Sequence, residues 1–257
     1  MKKVFGSATL MAALIFCFQP SLQAQQIYQG TAQLGALQVG TEEPCILNSC
    51  LLYAGDFNPN GQNPNALWNN NSLVFGISGT VYVPFTIPKK FKGAKGKTDW
   101  NVQGLFMNEL MGDVGFGIVV DSVSWSIVQG VASGGNPSGG QVKTICSGTA
   151  TPTLTPTGRS SFGLVEETIM ITGISCPILE NGSYWMTMVP TTHGLAYLSD
   201  VEDNSPANAL GPGSEPADLS FFISPSFGFT TFSDTSTVCG NVGCDSFSVG
   251  VIGKAVH

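Results

Sequence analysis

Apolar residues recur at every second position in run after run of this chain, and glycine, proline, asparagine and serine interrupt the runs before they grow long. Val81, Val83, Phe85 and Ile87 alternate with Tyr82, Pro84 and Thr86. Trp100, Val102 and Phe106 alternate with Asn101 and Gln103, and Val123, Trp125 and Ile127 with Ser122, Ser124 and Ser126. A period of two puts one set of side chains on one face of a strand, and the polar complement marks half-buried antiparallel strands. Similar runs at 141–150, 166–174, 184–189, 219–223, 228–232 and 247–252 continue the series. The longest stretch compatible with a helix, 105–111, offers about two turns. The pattern predicts an all-β fold, an antiparallel β-sandwich of jelly-roll-like form. No repeat of 20–50 residues is visible, which excludes solenoids and propellers.

Only 11% of the residues are charged, against about 25% in an average soluble domain. That excludes an acidic disordered chain, a coiled coil and a basic nucleic-acid binder, each of which needs a higher charge density. Met1-Lys2-Lys3, the apolar run 10–18 and the stretch Gln19 to Ala24 read as the three regions of a signal peptide, 1–24. The apolar run is too short to cross ~30 Å of hydrocarbon, and no later segment is long enough, so no membrane span is expected. Without residues 1–24 the chain keeps eight basic and 17 acidic residues, a net charge of −9, which argues against nucleic acid as a partner. The expectation is a secreted protein, extracellular or periplasmic.

Export gives meaning to the cysteines. Beyond Cys17 in the signal peptide there are six, Cys45, Cys50, Cys146, Cys176, Cys239 and Cys244, an even number that suits disulfides in an oxidising compartment. Six cysteines allow 15 pairings; the simplest joins Cys45 to Cys50, Cys239 to Cys244 and Cys146 to Cys176. The rival is a zinc site built from the two closely spaced pairs, which an oxidising compartment disfavours. Residues 25–52 lack periodicity and read as an extended N-terminal arm; 53–257 read as a single β-sandwich domain.

Leu51-Leu52-Tyr53 before an Asn/Gly/Pro-rich stretch, the run Val81 to Pro88, Ser124-Trp125-Ser126-Ile127 and Asn181-Gly182-Ser183-Tyr184-Trp185 together resemble bacterial exoproteins of the PEP-CTERM and choice-of-anchor type. The resemblance covers most of residues 50–190 and implies a secreted jelly-roll-like sandwich with no assigned activity. The ending Val251 to His257 carries no sorting motif or apolar tail, so release is expected in place of anchoring.

Several groups of residues offer chemistry. Asp200, Glu202, Asp203 and Asn204, with Glu215 and Asp218 beyond, form the densest acidic group and a candidate calcium site, the one cofactor the sequence suggests. A solvated acidic loop is the competing reading. Asp56-Phe57-Asn58-Pro59-Asn60-Gly61 opens like a calcium loop, but Leu67 stands where the bidentate carboxylate belongs, which favours a plain turn. Lys89, Lys90, Lys92, Lys95 and Lys97 are a solvated loop or an anion-attracting patch. If Tyr184, Met186 and Met188 face inward, Trp185 faces outward and could stack on a sugar ring; the inverted register buries it. Trp68, beside Asn69-Asn70-Asn71, is the second candidate for a sugar.

Enzymatic readings find little material. With His193 and His257 as the two histidines there is no His-Glu-x-x-His, no Gly-x-Ser-x-Gly and no phosphate loop, although His193 could join a serine and an aspartate in space. Glu166 and Glu167 are adjacent on a strand and so point to opposite faces. Arg159, the single arginine, is expected to pair with a carboxylate. The reading is a secreted non-catalytic sandwich with an extracellular binding or matrix role, its partner a glycan or cell-surface component. The alternatives are a glycan-cleaving hydrolase on the same fold and a purely structural exoprotein.

Overall fold

The computed structural model describes residues 50–56, 66–87, 99–178, 180–201, 219–240, 244 and 246–256. In chain order the strands are β1 (Cys50–Tyr53), β2 (Ala66–Trp68), β3 (Asn71–Ser72), β4 (Ile77–Ser78), β5 (Thr80–Ile87), β6 (Asp99–Gly112), β7 (Val120–Gln129) and β8 (Lys143–Ala150). They continue as β9 (Thr153–Ser161), β10 (Leu164–Ile178), β11 (Gly182–Thr192), β12 (Leu195–Ser199), β13 (Phe221–Ser224), β14 (Phe229–Asp234) and β15 (Val249–Val256). A 3-10 turn (Pro225–Phe227) and one short helix, α1 (Thr235–Val238), complete the described elements.

The strands form two antiparallel-rich sheets packed as a sandwich. The first runs β1-β15-β6-β10-β9, and β12, carrying β2, takes over from β15 along the last residues of β6. The second runs β14-β13-β5-β11, with β7 and then β8 on the far side of β11. Here β3 and β4 continue the edge that β5 leaves, β3 pairing in parallel with the end of β11. The main core lies between the sheets and includes Val81, Val83, Phe85, Leu105, Met107, Val123, Ile127, Ile169, Ile171, Met186 and Met188.

The stretch 105–111, compatible with a helix by sequence, is the middle of the 14-residue strand β6. Both of its faces are buried, so the alternation that marks a half-exposed strand is missing there. A bulge adds a second correction. Gly104 pairs with Ile252 and Val102 with Gly253, leaving Gln103 as the extra residue, and one extra residue flips the side chains beyond it to the other face. Trp100 and Val102 therefore enter the main core, while Phe106 packs on the outer face with Cys50 and Tyr53. Strand β9 escapes the pattern because it is polar and holds Pro156, which an edge strand tolerates. A two-residue turn joins it to β10, with Phe162 at φ 56° and Gly163 at φ 75°; Phe162 accepts this left-handed backbone while its side chain packs on the core.

Cys146 on β8 and Cys176 on β10 are joined, so this disulfide ties one sheet to the other. Cys239 and Cys244 form the second described bridge, following α1. Both sulfurs of that pair are thereby unavailable to zinc. Cys50 is also disulfide-bonded, while Cys45, its expected partner, lies outside the described residues, as do the signal peptide and 25–49 of the arm. Residues 50–52, grouped with the arm by sequence, belong to the sheet: they lie in β1, and Leu51 and Leu52 are fully buried.

Candidate binding surface at one end of the sandwich

Three crossings between the sheets meet at one end. The chain passes from β2 to β3 through Asn69 and Asn70, from β6 to β7 through residues 113–119, and from β11 to β12 through His193 and Gly194. Register places them together, because Gly112 pairs with Leu195 while Thr192 pairs with both Val120 and Ser72. The two asparagines are buried and act as pins. Asn70 Nδ2 donates to the Gly194 carbonyl at 2.9 Å, and Thr192 Oγ1 donates to Asn70 Oδ1 at 3.0 Å. Asn69 Nδ2 donates to the Met188 carbonyl and to Glu109 Oε1, both at 2.7 Å, and its Oδ1 accepts from the Val81 amide at 3.0 Å. A crossing buried without β-ladder partners needs such side chains to satisfy its backbone.

On this frame sit most of the exposed large apolar residues. Leu73, Val74 and Phe75 form the β3–β4 turn, Phe116 and Val119 lie in the β6–β7 loop, and Val165 stands opposite Met111 just past the β9–β10 turn. Their exposures run from 39% for Val119 to 62% for Phe116, and of the seven exposed large hydrophobics described, Leu219 alone lies elsewhere. Single exposed apolar residues are ordinary, but a cluster is not. The β6–β7 loop is held in shape: Asp113 Oδ1 accepts from the amides of Gly115 at 2.6 Å, Phe116 at 2.8 Å and Gly117 at 2.7 Å. Those amides, Gly115 foremost, hold the Asp113 carboxyl below its ordinary range. Gly115 and Gly117 take φ of 101° and 78°, which a side chain would resist. Beside Phe116, 6.1 Å between ring centres, His193 pairs through Nε2 with Asp121 Oδ2 at 3.0 Å.

The charge at this end is acidic. Among the described residues, Asp113 in the β6–β7 loop and Asp121 at the start of β7 are its acidic side chains. Lys143 and Lys254 lie at the opposite ends of their strands, paired with Gln129 and Asn101. Arg159, next to the Ser160 that pairs with Val165, has its charge taken up: it bonds the buried Glu166 through Nε and Asp56 through Nη2 at 2.9 Å, and Asp56 accepts the Tyr53 hydroxyl. Thr157 Oγ1 adds a bond to Glu166 at 2.8 Å. Burial pushes the Glu166 carboxyl up, against the pull of Arg159. This cluster ties the segment after β1 to the β9–β10 pair across the outer face of the first sheet. It gives Asp56 a structural partner, while 57–61 of the calcium-loop-like stretch lie outside the described residues.

The tryptophans expected to meet a sugar are covered. Trp185 does face outward, since Tyr184, Met186 and Met188 belong to the main core as the sequence suggested. A second layer closes over it nonetheless: Trp185 is 8% exposed among Val128, Val131, Phe221, Ile223 and Phe232, and its Nε1 donates to the Leu219 carbonyl at 3.2 Å. Period-two reasoning assigns a face but cannot see β13, β14 and the segment after β7 returning over it. Trp68 is 4% exposed, edge-on to Tyr197 and Phe227, with Nε1 donating to the Asn70 carbonyl at 3.1 Å. The neighbouring asparagines suggested a polar loop, but Asn69 and Asn70 are buried pins. Neither ring can receive a ligand.

Of the candidate calcium ligands, Asp200 is buried and its backbone bridges to Phe247, while Glu202, Asp203 and Asn204 lie outside the described residues. The lysines at 89, 90, 92, 95 and 97 lie outside them too. Among the described residues no three of His, Cys, Asp and Glu gather as metal ligands, and no helix is long and apolar enough to cross a membrane. Glu166 and Glu167 do part to opposite faces. Glu167 instead pairs across the strands with Glu109, which has no exposed surface. Burial raises both carboxyls, that of Glu109 well above its ordinary range.

The apolar end itself went unread in the sequence. Its signals were there in retrospect: Leu73-Val74-Phe75-Gly76 places three large apolar residues where a turn calls for polar ones, and Phe116 stands between Gly115 and Gly117. Comparison of the chain with protein-family models, with curated proteins and with solved structures gives no match, so the reading rests on this geometry.

Proposed function

We propose that this is a secreted, non-catalytic β-sandwich that attaches to a component of an extracellular surface by its apolar end. The observation that carries the reading is the gathering of Leu73, Val74, Phe75, Phe116 and Val119 on adjoining turns and loops of one end, with Val165 at the start of β10 beside them. Keeping such side chains in water costs free energy that polar replacements would avoid, and patches of this kind mark interaction sites. The signal-like N-terminus and the disulfides support an oxidising, extracytoplasmic setting. The surface component is apolar where it meets the protein, which favours a cell-surface partner over a sugar, whose ring would need the aromatic platforms that Trp68 and Trp185 do not provide. The hydrolase alternative loses support because Glu109 and Glu166 are closed off from any substrate.

The test is retention of the purified, oxidised protein on intact cells, on lipid-free cell walls and on insoluble polysaccharides. Wild type is compared with Leu73→Ser/Phe75→Ser/Phe116→Ser. Retention on cells that drops at least ten-fold in the variant, with the melting temperature unchanged, is the expected result. No retention on any of the materials, or equal retention of both proteins, overturns the reading.

A further inference from the structure

We infer that the apolar end docks on the neutral, zwitterionic surface of a lipid bilayer, with Leu73, Val74, Phe75 and Phe116 entering the boundary between headgroups and acyl chains. This deepens the surface reading above and rests on it. Shape is the first reason. Leu73, Val74 and Phe75 are consecutive residues of one tight turn, closed by the Gly76 amide donating to the Ser72 carbonyl at 2.9 Å, and all three are exposed. Consecutive residues of a turn point in different directions, so a flat rigid partner can meet one or two of them. A fluid lipid phase closes around a protruding tip on all sides.

The alternative occupant is a second copy of the chain. Taking full side chains of about 150–250 Å² for aromatics and less for valine and leucine, the exposed fractions amount to on the order of 500 Å². A stable protein partner buries ~800 Å² on each side, a little over half of it apolar, so area alone admits a second copy and charge decides against it. Two facing copies would bring Asp113 and Asp121 of one against those of the other.

Charge selects the lipid. The described loops of this end carry Asp113, with Asp121 beside them at the start of β7, and no lysine or arginine, so an anionic membrane repels them. A zwitterionic headgroup presents an ammonium, which complements an aspartate and can also rest on the face of Phe116, the most exposed of the large hydrophobics described. The binding is peripheral, through loop tips. The three amide bonds to Asp113 and the buried Asn69 and Asn70 keep those tips in place before they meet lipid, so little ordering remains to be done on docking.

Vesicle flotation tests this with the oxidised protein, phosphatidylcholine vesicles and phosphatidylcholine vesicles containing phosphatidylglycerol. Wild type is expected to float with the neutral vesicles and less with the anionic ones. Leu73→Ser/Phe75→Ser is expected to lower the bound fraction at least ten-fold at an unchanged melting temperature. A second variant, Phe75→Trp, places a reporter at the tip. Its emission should shift to the blue on neutral vesicles and be quenched by brominated acyl chains, whereas the wild type, whose Trp68, Trp100, Trp125 and Trp185 are all buried, should not respond. Absence of flotation, flotation that needs anionic lipid, flotation unchanged in the double variant, or a concentration-dependent dimer abolished by that variant each overturns the proposal. If vesicles fail while cell retention persists and depends on Leu73 and Phe75, the lipid is wrong and the surface reading stands. If both fail, the surface reading falls as well.

Discussion

Replacing Glu109 by Gln should change how stability depends on pH, and the structure fixes the sign. Glu109 has no exposed surface; its Oε1 accepts from Asn69 at 2.7 Å, and its Oε2 has no partner among the described residues. Burial holds the carboxyl well above the usual carboxylate range, against the opposing pull of the Asn69 hydrogen bond. In the unfolded chain the same group ionises near ~4.3. The folded state therefore carries one proton more than the unfolded state at pH values between the two. Its contribution to stability is complete below the unfolded pKa and is lost as pH rises toward the folded one, at ~1.4 kcal/mol per pH unit. Gln keeps the shape and the oxygen that Asn69 needs but cannot ionise. Between about pH 5.5 and 7.5 the wild type should lose stability relative to Glu109→Gln as pH rises, with that limiting slope as the ceiling, which corresponds to a few °C of melting temperature per pH unit for a domain of this size. The amide brings new donors whose cost is the same at every pH, so the offset between the proteins is free and the slope is the test. Glu166 and Glu167, also raised by burial, contribute equally to both proteins and cancel in the difference. Chemical denaturation of both proteins at three pH values in that window measures it. Parallel stability curves would refute the argument, because they would mean that Glu109 is ionised in the folded protein.

Four further perturbations probe the frame. Cys146→Ala/Cys176→Ala opens a loop of 30 residues between the sheets and should cost about 3–4 kcal/mol in reversible unfolding on the chain-entropy account; a loss under 1 kcal/mol would show that the bridge constrains little. Gly250→Ala drives a Cβ into the ring of the fully buried Phe106, an overpacking that should cost about 1–3 kcal/mol and is checked by the shift in denaturation midpoint. Arg159→Met strands the buried Glu166 and should cost about 3–5 kcal/mol, with Glu166→Gln added in the same chain restoring much of it; an equal loss in the double variant would deny the pairing. Asn70→Ala removes one of the two bonds to the Gly194 carbonyl and one acceptor of the Thr192 hydroxyl, which still bond each other at 2.9 Å, and should cost about 1 kcal/mol, with faster amide exchange at residues 192–195 as the local readout.

The sheets were legible where one face of a strand stays half exposed. Val81 to Ile87 and Val123 to Ile127 kept the orientation their alternation implies. Legibility failed where both faces are buried, as at 105–111, where the missing alternation matched a helix as well as a strand. It failed again at Gln103, because a bulge leaves no mark in composition yet reverses every side chain beyond it. The pairing of Cys146 with Cys176 was legible because few simple arrangements of six cysteines exist, although nothing in the spacing says that this bridge joins opposite sheets. For the site, the sequence drew attention to tryptophan and to acid, the residue types most often used for sugar and calcium. It could not weigh Trp185 against a covering layer contributed by residues more than thirty positions away.

The same interactions explain why the apolar end can exist at all. An exposed cluster of Leu73, Val74, Phe75 and Phe116 would fold inward if its loops were free, since collapse removes apolar surface from water. Here each route inward is blocked by a bond that collapse would break. The β3–β4 turn is tied at both ends, by Leu73 donating to the Thr192 carbonyl and Gly79 donating to the Asn70 carbonyl, each at 2.9 Å. The loop bearing Phe116 is wound on Asp113, whose carboxylate accepts three of its amides. Beneath both, the buried Asn69 and Asn70 are bonded to the Met188 and Gly194 carbonyls and to Glu109, and displacing them would break those bonds. Buried polar residues thus hold apolar residues in water, an inversion of the usual arrangement that stability alone does not favour and that a binding surface requires.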